Sequence, residues 1–148
     1  MNNADIIGKR IGEDITIKKI LDLRDFPGDK YENKVTHEWE EILKDEEISV
    51  VCETMGGVGA AYKFTKEALS CGKAVCTSNK ELVAAHGPEL INLAQQNNTN
   101  YFFEASVGGG IPIIRPILNA LTATLIILIN HALSLILSTN AFLKFHIS

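Results

Sequence analysis

Four short stretches of the 148-residue chain carry groups whose type and spacing could do chemistry. The first is Glu53-Thr54-Met55-Gly56-Gly57, directly after the apolar run Ile48 to Cys52. Glycines between a strand and a helix leave backbone N–H groups free for a phosphate or a ribose. Taken alone, they equally suit any tight strand-to-helix turn. The second is Ser78-Asn79-Lys80, after Lys73 to Thr77. A lysine at a strand end facing a cleft can orient a carbonyl or take part in proton transfer, although most lysines simply sit on solvated surface. The third is Glu104 with Ser106 and the run Val107-Gly108-Gly109-Gly110-Ile111-Pro112. Consecutive glycines open carbonyls and amides to a ligand or ion, and Glu104 would add a carboxylate to an all-oxygen cation site. A partnered strand carboxylate followed by a hinge is the plainer alternative. The fourth is Asp22-Leu23-Arg24, after Ile15 to Leu21. In dinucleotide folds an acid at such a place bonds the ribose 2′-OH, and an arginine accommodates a 2′-phosphate. Both are present, so NAD and NADP stay open.

Alternating elements would position these groups. Asn3 to Arg10 reads as the end of a helix stopped by Gly12. Ile15 to Leu21 is rich in β-branched residues and reads as a strand. Asp22 to Thr36 reads as a loop with a Pro27-Gly28 turn. Glu38 to Lys44 reads as a short helix capped by Thr36, with Trp39 as its packing anchor. Ile48 to Cys52 (ISVVC) is a short apolar run, hence a buried strand. Ala60 to Cys71 is helical, with Ala61, Phe64 and Ala68 on one face and Gly72 as its stop. Lys73 to Thr77 is a strand. Pro88 opens a helix running to about Asn97. Tyr101 to Ala105 is a strand, and Pro112 starts another helix. Strand and helix in alternation indicate a parallel sheet with right-handed crossovers. Ligands bind such sheets at the carboxyl ends of the strands, where all four stretches fall.

Composition narrows the function classes. The chain is 46% hydrophobic and 22% charged, enough for one domain with a real core. A formal net charge of −4 lacks the basic footprint of a nucleic-acid-binding domain. Three cysteines, Cys52, Cys71 and Cys76, are too few for a disulfide scaffold, and no C-x-x-C pair suggests structural zinc. Cys52 and Cys76, in apolar runs, read as small core residues. His37 and His86 fall in or near loops without a second ligand at metal spacing. The start MNNADIIGKR is no signal peptide, so a reducing cytoplasm is expected. Charge then disappears: after Asn119 only Lys144 is charged. The run Leu121 to Leu137 is short for a membrane span, which needs about 20 apolar residues, and it contains Asn130 and His131. A buried helix suits it better.

The strings VVCETMGG, GKAVCTSNKELVAAHG and FEASVGGGIPIIRP resemble homoserine dehydrogenases in content, order and spacing, over about Asn3 to Ala123. The family's T-x-N-K corresponds to Thr77-Ser78-Asn79-Lys80, and its E-A-S/T-V-x-G-G-I/L-P to Glu104 to Pro112. The resemblance implies an α/β fold, a partial Rossmann-type doubly wound parallel sheet. It implies reduction of aspartate semialdehyde to homoserine with NADPH or NADH, in threonine and methionine biosynthesis, by an enzyme that is a homo-oligomer at full length. By carry-over, Lys80 would contact the nicotinamide end and join in proton transfer or carbonyl orientation. Thr54 and the Met55-Gly56 backbone would flank the cofactor. Ser78, Asn79 and, from its strand-end position, Arg24 complete the expected cofactor-binding set. Glu104 and the backbones of Val107, Gly109 and Ile111 would hold a monovalent cation, sodium or potassium.

The chain also departs from the family pattern. G-x-G-x-x-G is absent, and the first strand with its pyrophosphate turn is expected upstream of Met1. Residues 1–118 read as a partial nucleotide-binding domain. Residues 119–148 read as the start of a substrate and dimerisation domain or as an atypical, non-native apolar tail. From Thr124 the family's glycine-rich continuation is replaced by TLIILINHALSLILSTNAFLKFHIS. An interrupted reading frame near Ala123 would account for the loss of charge and of family pattern together. Weak cofactor binding without turnover is the expectation for the chain by itself. A non-catalytic nucleotide- or partner-binding module, a membrane-associated protein using the tail, and another Rossmann oxidoreductase acting on an aldehyde or keto acid are the alternatives.

Overall fold

The computed structural model of the chain describes residues 8–10, 12, 14–108 and 111–122. The tail beyond residue 122, Gly109 and most of the helix expected at Asn3 to Arg10 lie outside them. Residues 8–10 are helical, and Gly12 closes that turn with its N–H on the Gly8 carbonyl at φ +80°.

Two parallel sheets follow. Strand β1 (Ile20–Leu21) pairs with β2 (Val35–Thr36). Helix α1 (Trp39–Leu43) leads to β3 (Val50–Glu53), helix α2 (Gly59–Ser70), β4 (Ala74–Thr77), helix α3 (Lys80–Gln96) and β5 (Tyr101–Phe102). Strands β3, β4 and β5 form one sheet in that order, all parallel. A 3-10 turn at Glu104–Ser106 precedes a last helix, α4, over 114–122. The β–α–β–α–β run is a Rossmann-type unit, as the alternation of elements predicts.

Helices α2 and α3 pack on each other and on the sheet. Register sorts the strand residues into two faces. Val51, Val75 and Tyr101 line up across the sheet, as do Glu53 and Thr77, and this set meets the helices. Val50, Cys52, Ala74, Cys76 and Phe102 occupy the opposite face, where Val50 is 53% and Phe102 49% exposed. Among the described residues the apolar run Ile48 to Cys52 is therefore covered on one face only, and Cys52 and Cys76 lie outside the buried core. The core sits between the sheet and the helices: Leu69, Val75, Leu82 and Leu90 are fully buried, with Ala61 and Ala68 beneath them. Each such leucine contributes about 1.5–3 kcal/mol of transfer free energy. Trp39 is buried too, its ring tilted against Phe64 with centroids 4.8 Å apart, and its indole N–H donates to Glu67 at 2.6 Å.

Several boundaries differ from the sequence expectation for identifiable reasons. Only Ile20 and Leu21 of the Ile15 to Leu21 run pair, because their partner is a two-residue strand that propensity cannot find inside the Asp22 to Thr36 loop. Thr36 is not the cap of α1. That role falls to Glu38, whose N–H donates to the Thr36 hydroxyl at 3.2 Å. Strand Tyr101 to Ala105 stops at Phe102 because Glu104 turns into the 3-10 helix. Helix α3 starts at Lys80 and runs through Pro88 instead of opening there. The proline forfeits the N–H that would meet the Ala84 carbonyl. The neighbouring Gly87 is buried, and a Cβ there would meet only Val83 Cγ1, at 3.4 Å. Packing against α2 and β5 holds the two halves in line. His86 consequently lies inside α3, stacked on Tyr62 of α2 at 4.0 Å.

After β2, His37 receives two contacts. Nδ1 is 2.6 Å from the Asp22 carbonyl and Nε2 is 3.0 Å from the Asp25 carboxylate. Both favour the protonated ring, first the carbonyl and then the carboxylate, so the His37 pKa is raised above its ordinary value. A raised folded pKa gives stability that is complete below the unfolded value and fades as pH rises through the folded one. The loop 22–26 is therefore expected to be pinned in mild acid and to loosen above neutrality. In an NMR titration His37 should deprotonate at higher pH than a free histidine, and His37→Gln should remove the pH dependence of the Asp25 signals.

Candidate functional site

The carboxyl ends of β3 and β4 are tied together by one hydrogen-bonded knot. Glu53, the last residue of β3, is 6% exposed and accepts from the Met55 N–H at 2.6 Å and from the Thr77 hydroxyl. Thr77, the last residue of β4, accepts in turn from the Asn79 N–H at 2.9 Å. The Asn79 amide donates to the carbonyls of Met55 at 3.2 Å and Gly57 at 2.6 Å, and its oxygen accepts from the Leu82 N–H at 3.0 Å. One asparagine thus caps α3 and clamps the turn after β3. Register explains why these residues meet: Glu53 and Thr77 are Cα partners on the buried face. Gly57 takes φ +73°, which lets the turn reverse into α2 without strain.

The knot decides which predicted residues face outward. Both backbone polar groups of Met55 are taken within the knot, so the Met55 backbone is a structural element of the turn. Its half-buried side chain packs on the core. Asn79 is buried in the same knot. Thr54, Gly56 and Ser78 are exposed beside it. Lys80 begins α3 immediately after Asn79, exposed and without an ion pair among the described residues. The structure therefore brings Thr54, Met55, Gly56, Ser78, Asn79 and Lys80 to adjacent strand ends. Sequence reasoning passed over Glu53 and Thr77 as site residues. A carboxylate closing an apolar strand run was their signal.

Tyr101 lies on the same buried face, its hydroxyl without a hydrogen-bond partner. Burial, with the Glu53 charge as the lesser cause, pushes its pKa to about 12, so the phenol remains protonated.

Arg24 stands apart. It follows β1, and no hydrogen bond ties it to the knot among the described residues. Its guanidinium closes on Asp22, Nε to Oδ1 and Nη2 to Oδ2 both at 3.0 Å. That pairing with Arg24 lowers the Asp22 pKa to about 2 and occupies both carboxylate oxygens.

Glu104 also has partners. Its oxygens accept from the N–H groups of Ile114 at 3.0 Å and Arg115 at 3.2 Å, capping the start of α4. The Val107 N–H returns to the Glu104 carbonyl at 3.3 Å, and the Ile111 N–H to the Gly108 carbonyl at 3.2 Å. Gly108 has φ +70°, a conformation side chains disfavour, and a Cβ there would also sit 3.0 Å from the Ile111 carbonyl oxygen, so the position favours glycine. Glu104, Val107 and Ile111 thus share one turn beside the start of α4, while Gly109 lies outside the described residues. A carboxylate has about four lone-pair sites, so two N–H contacts leave capacity for a cation. The donor chemistry of carboxylate and loop carbonyls suits a hard monovalent ion. No helix among the described residues is long and apolar enough to cross a membrane.

Known proteins are similar to this chain in sequence and fold. A family model described as homoserine dehydrogenase, NAD binding domain, matches residues 10–104. The homoserine dehydrogenase of Helicobacter pylori is 43% identical over 133 aligned positions, covering 89% of this chain and 30% of that protein. That of Lactococcus lactis is 36% identical over 149 positions, covering 95% of this chain and 33% of that protein. Coverage of 95% means the alignment runs past Ala123, into the apolar tail. The crystal structure of a homoserine dehydrogenase from Thiobacillus denitrificans superposes with a TM-score of 0.71 at 36% identity, over 82% of this chain and 28% of that one. That of S. aureus at pH 7.5 gives 0.64 at 35% identity, over 74% and 28%. The chain spans about a third of the length of the curated relatives it matches. With a family model covering residues 10–104, the chain belongs to the homoserine dehydrogenase family, within its NAD-binding domain.

Proposed function

We propose that this chain is the nucleotide-binding part of an enzyme that transfers hydride between a nicotinamide dinucleotide and the aldehyde carbon of aspartate semialdehyde, giving homoserine. The observation that carries the reading is the knot of Glu53, Thr77 and Asn79, which sets the Met55-Gly57 turn and Lys80 side by side. Thr54, Gly56 and Ser78 offer hydroxyls and bare backbone to the nicotinamide and its ribose. Lys80, unpaired and exposed, is placed to hold the carbonyl oxygen and supply positive charge as that oxygen becomes an alkoxide. The nicotinamide supplies the hydride when bound. Glu104, with the carbonyls of Val107, Gly109 and Ile111, would hold sodium or potassium and stiffen the turn before α4. Small-molecule turnover in the cytoplasm, by a homo-oligomer, completes the reading.

The Asp22–Arg24 pair favours NADPH. Arg24 competes with a ribose diol for both Asp22 oxygens, whereas the exposed guanidinium presents its remaining N–H groups to a 2′-phosphate. Fluorescence titration of the chain with NADPH and NADH tests this. Tighter NADPH binding that Arg24→Ala abolishes, with NADH little changed, is the expected result. Equal affinities insensitive to Arg24→Ala would overturn the preference, and no binding of either nucleotide would overturn nucleotide binding by this chain.

A further inference from the structure

Cys52 and Cys76 belong to neither the core nor the nucleotide site. They are Cα partners in the β3–β4 register, on the sheet face turned away from α2 and α3. Their Sγ atoms are 3.0 Å apart, with the Cys76 thiol donating to Cys52. Cys52 is exposed and Cys76 half-buried, while Cys71 sits apart at the C-cap of α2. A disulfide needs Cα atoms about 4.4–6.8 Å apart and an S–S distance of about 2.0 Å. Neighbouring strands meet the first condition with a spacing of about 4.8 Å. The second asks for side-chain rotation through about 1 Å.

We propose that Cys52 and Cys76 form a reversible dithiol–disulfide pair that responds to peroxides. The exposed Cys52 sulfur attacks one peroxide oxygen. The O–O bond breaks, the sulfur is oxidised to a sulfenic acid, and the other oxygen leaves as water. The Cys76 sulfur then attacks the Cys52 sulfur. The S–O bond breaks, and hydroxide departs as water with the Cys76 proton. Two thiols lose two electrons and two protons, and one peroxide becomes two waters. A small dithiol reductant reverses the reaction by exchange. Burial, then the hydrogen bond with Cys52, pushes the Cys76 pKa to about 11, so Cys76 is the protonated partner whose proton goes to the departing hydroxide. The proximity that drives the second step is set by strand register and does not depend on a bound nucleotide.

Cys52, Cys71 and Cys76 fall on separate tryptic peptides, so the pairing can be read directly. The reduced chain is treated with equimolar hydrogen peroxide, its remaining thiols are alkylated with iodoacetamide, and the peptides are mapped without reduction. The expected product joins the Cys52 and Cys76 peptides within one chain, leaves Cys71 alkylated, and disappears with dithiothreitol. Phenylarsine oxide, which bridges close thiol pairs, should protect both cysteines of the reduced chain from alkylation. In Cys52→Ser or Cys76→Ser the remaining partner should lose that protection. A Cys52–Cys71 link, a link only between chains, or over-oxidation of Cys52 with Cys76 still alkylatable would overturn the proposal, as would absence of arsenical protection.

Discussion

Alanine at Glu53 is expected to lower the stability of the chain by about 3 kcal/mol, since buried hydrogen bonds to a charged group contribute about 1.5–3 kcal/mol each and are not additive. The substitution strips the acceptor from both the Met55 N–H and the Thr77 hydroxyl at a position that is 6% exposed. Two donors would be left facing an apolar interior. Glutamine keeps an acceptor for Met55 and should lose less. It also removes a negative charge near the Tyr101 phenol, so that phenol should titrate closer to its ordinary pKa of about 10. Urea unfolding measures the first effect and ultraviolet titration of tyrosinate the second. An unchanged urea midpoint in Glu53→Ala would mean that the knot contributes nothing to holding the strand ends.

The second large effect concerns turnover. In the catalytically complete enzyme, Lys80→Ala is expected to reduce kcat by about 10²–10⁴-fold, the usual contribution of a positioned proton-transfer group. NADPH affinity should change far less, because the turn after β3 is held by hydrogen bonds of Asn79 and Glu53 that do not involve the Lys80 side chain. Lys80→Arg separates two roles. Arginine keeps the charge but does not deprotonate in proteins, so it should restore carbonyl orientation without proton delivery. A pre-steady-state burst of NADPH oxidation locates the effect at the chemical step. Equal losses in NADPH affinity and kcat/KM would assign Lys80 to cofactor binding instead.

The parallel αβ architecture was legible in the sequence because Ile48 to Thr77 alternates a strand-like run, a glycine turn and a helical pattern without ambiguity. The sites were legible as strings, since Thr77-Ser78-Asn79-Lys80 and Glu104 to Pro112 sit at successive strand ends. What was hidden depends on three-dimensional partners. The pairing of Val35 with Ile20 is a two-residue contact that no local propensity announces. The true start of α3 was masked by Pro88, a stronger local signal than Asn79. The partners of Glu104 are the amides of Ile114 and Arg115, too far along the chain for spacing to reveal. Cys52 and Cys76 were misplaced into the core because a continuous apolar run does not say which face a helix covers.

Asn79 has one further consequence. Its side chain holds the Leu82 amide in the first turn of α3 and the Met55 and Gly57 carbonyls of the preceding turn. The first turn of α3 and the turn after β3 are thus tied to one side chain. In a deuterium-exchange time course Asn79→Ala should therefore deprotect the Leu82 amide directly, and should speed exchange at the Met55 amide, which Glu53 holds, to a smaller extent by loosening the turn around it.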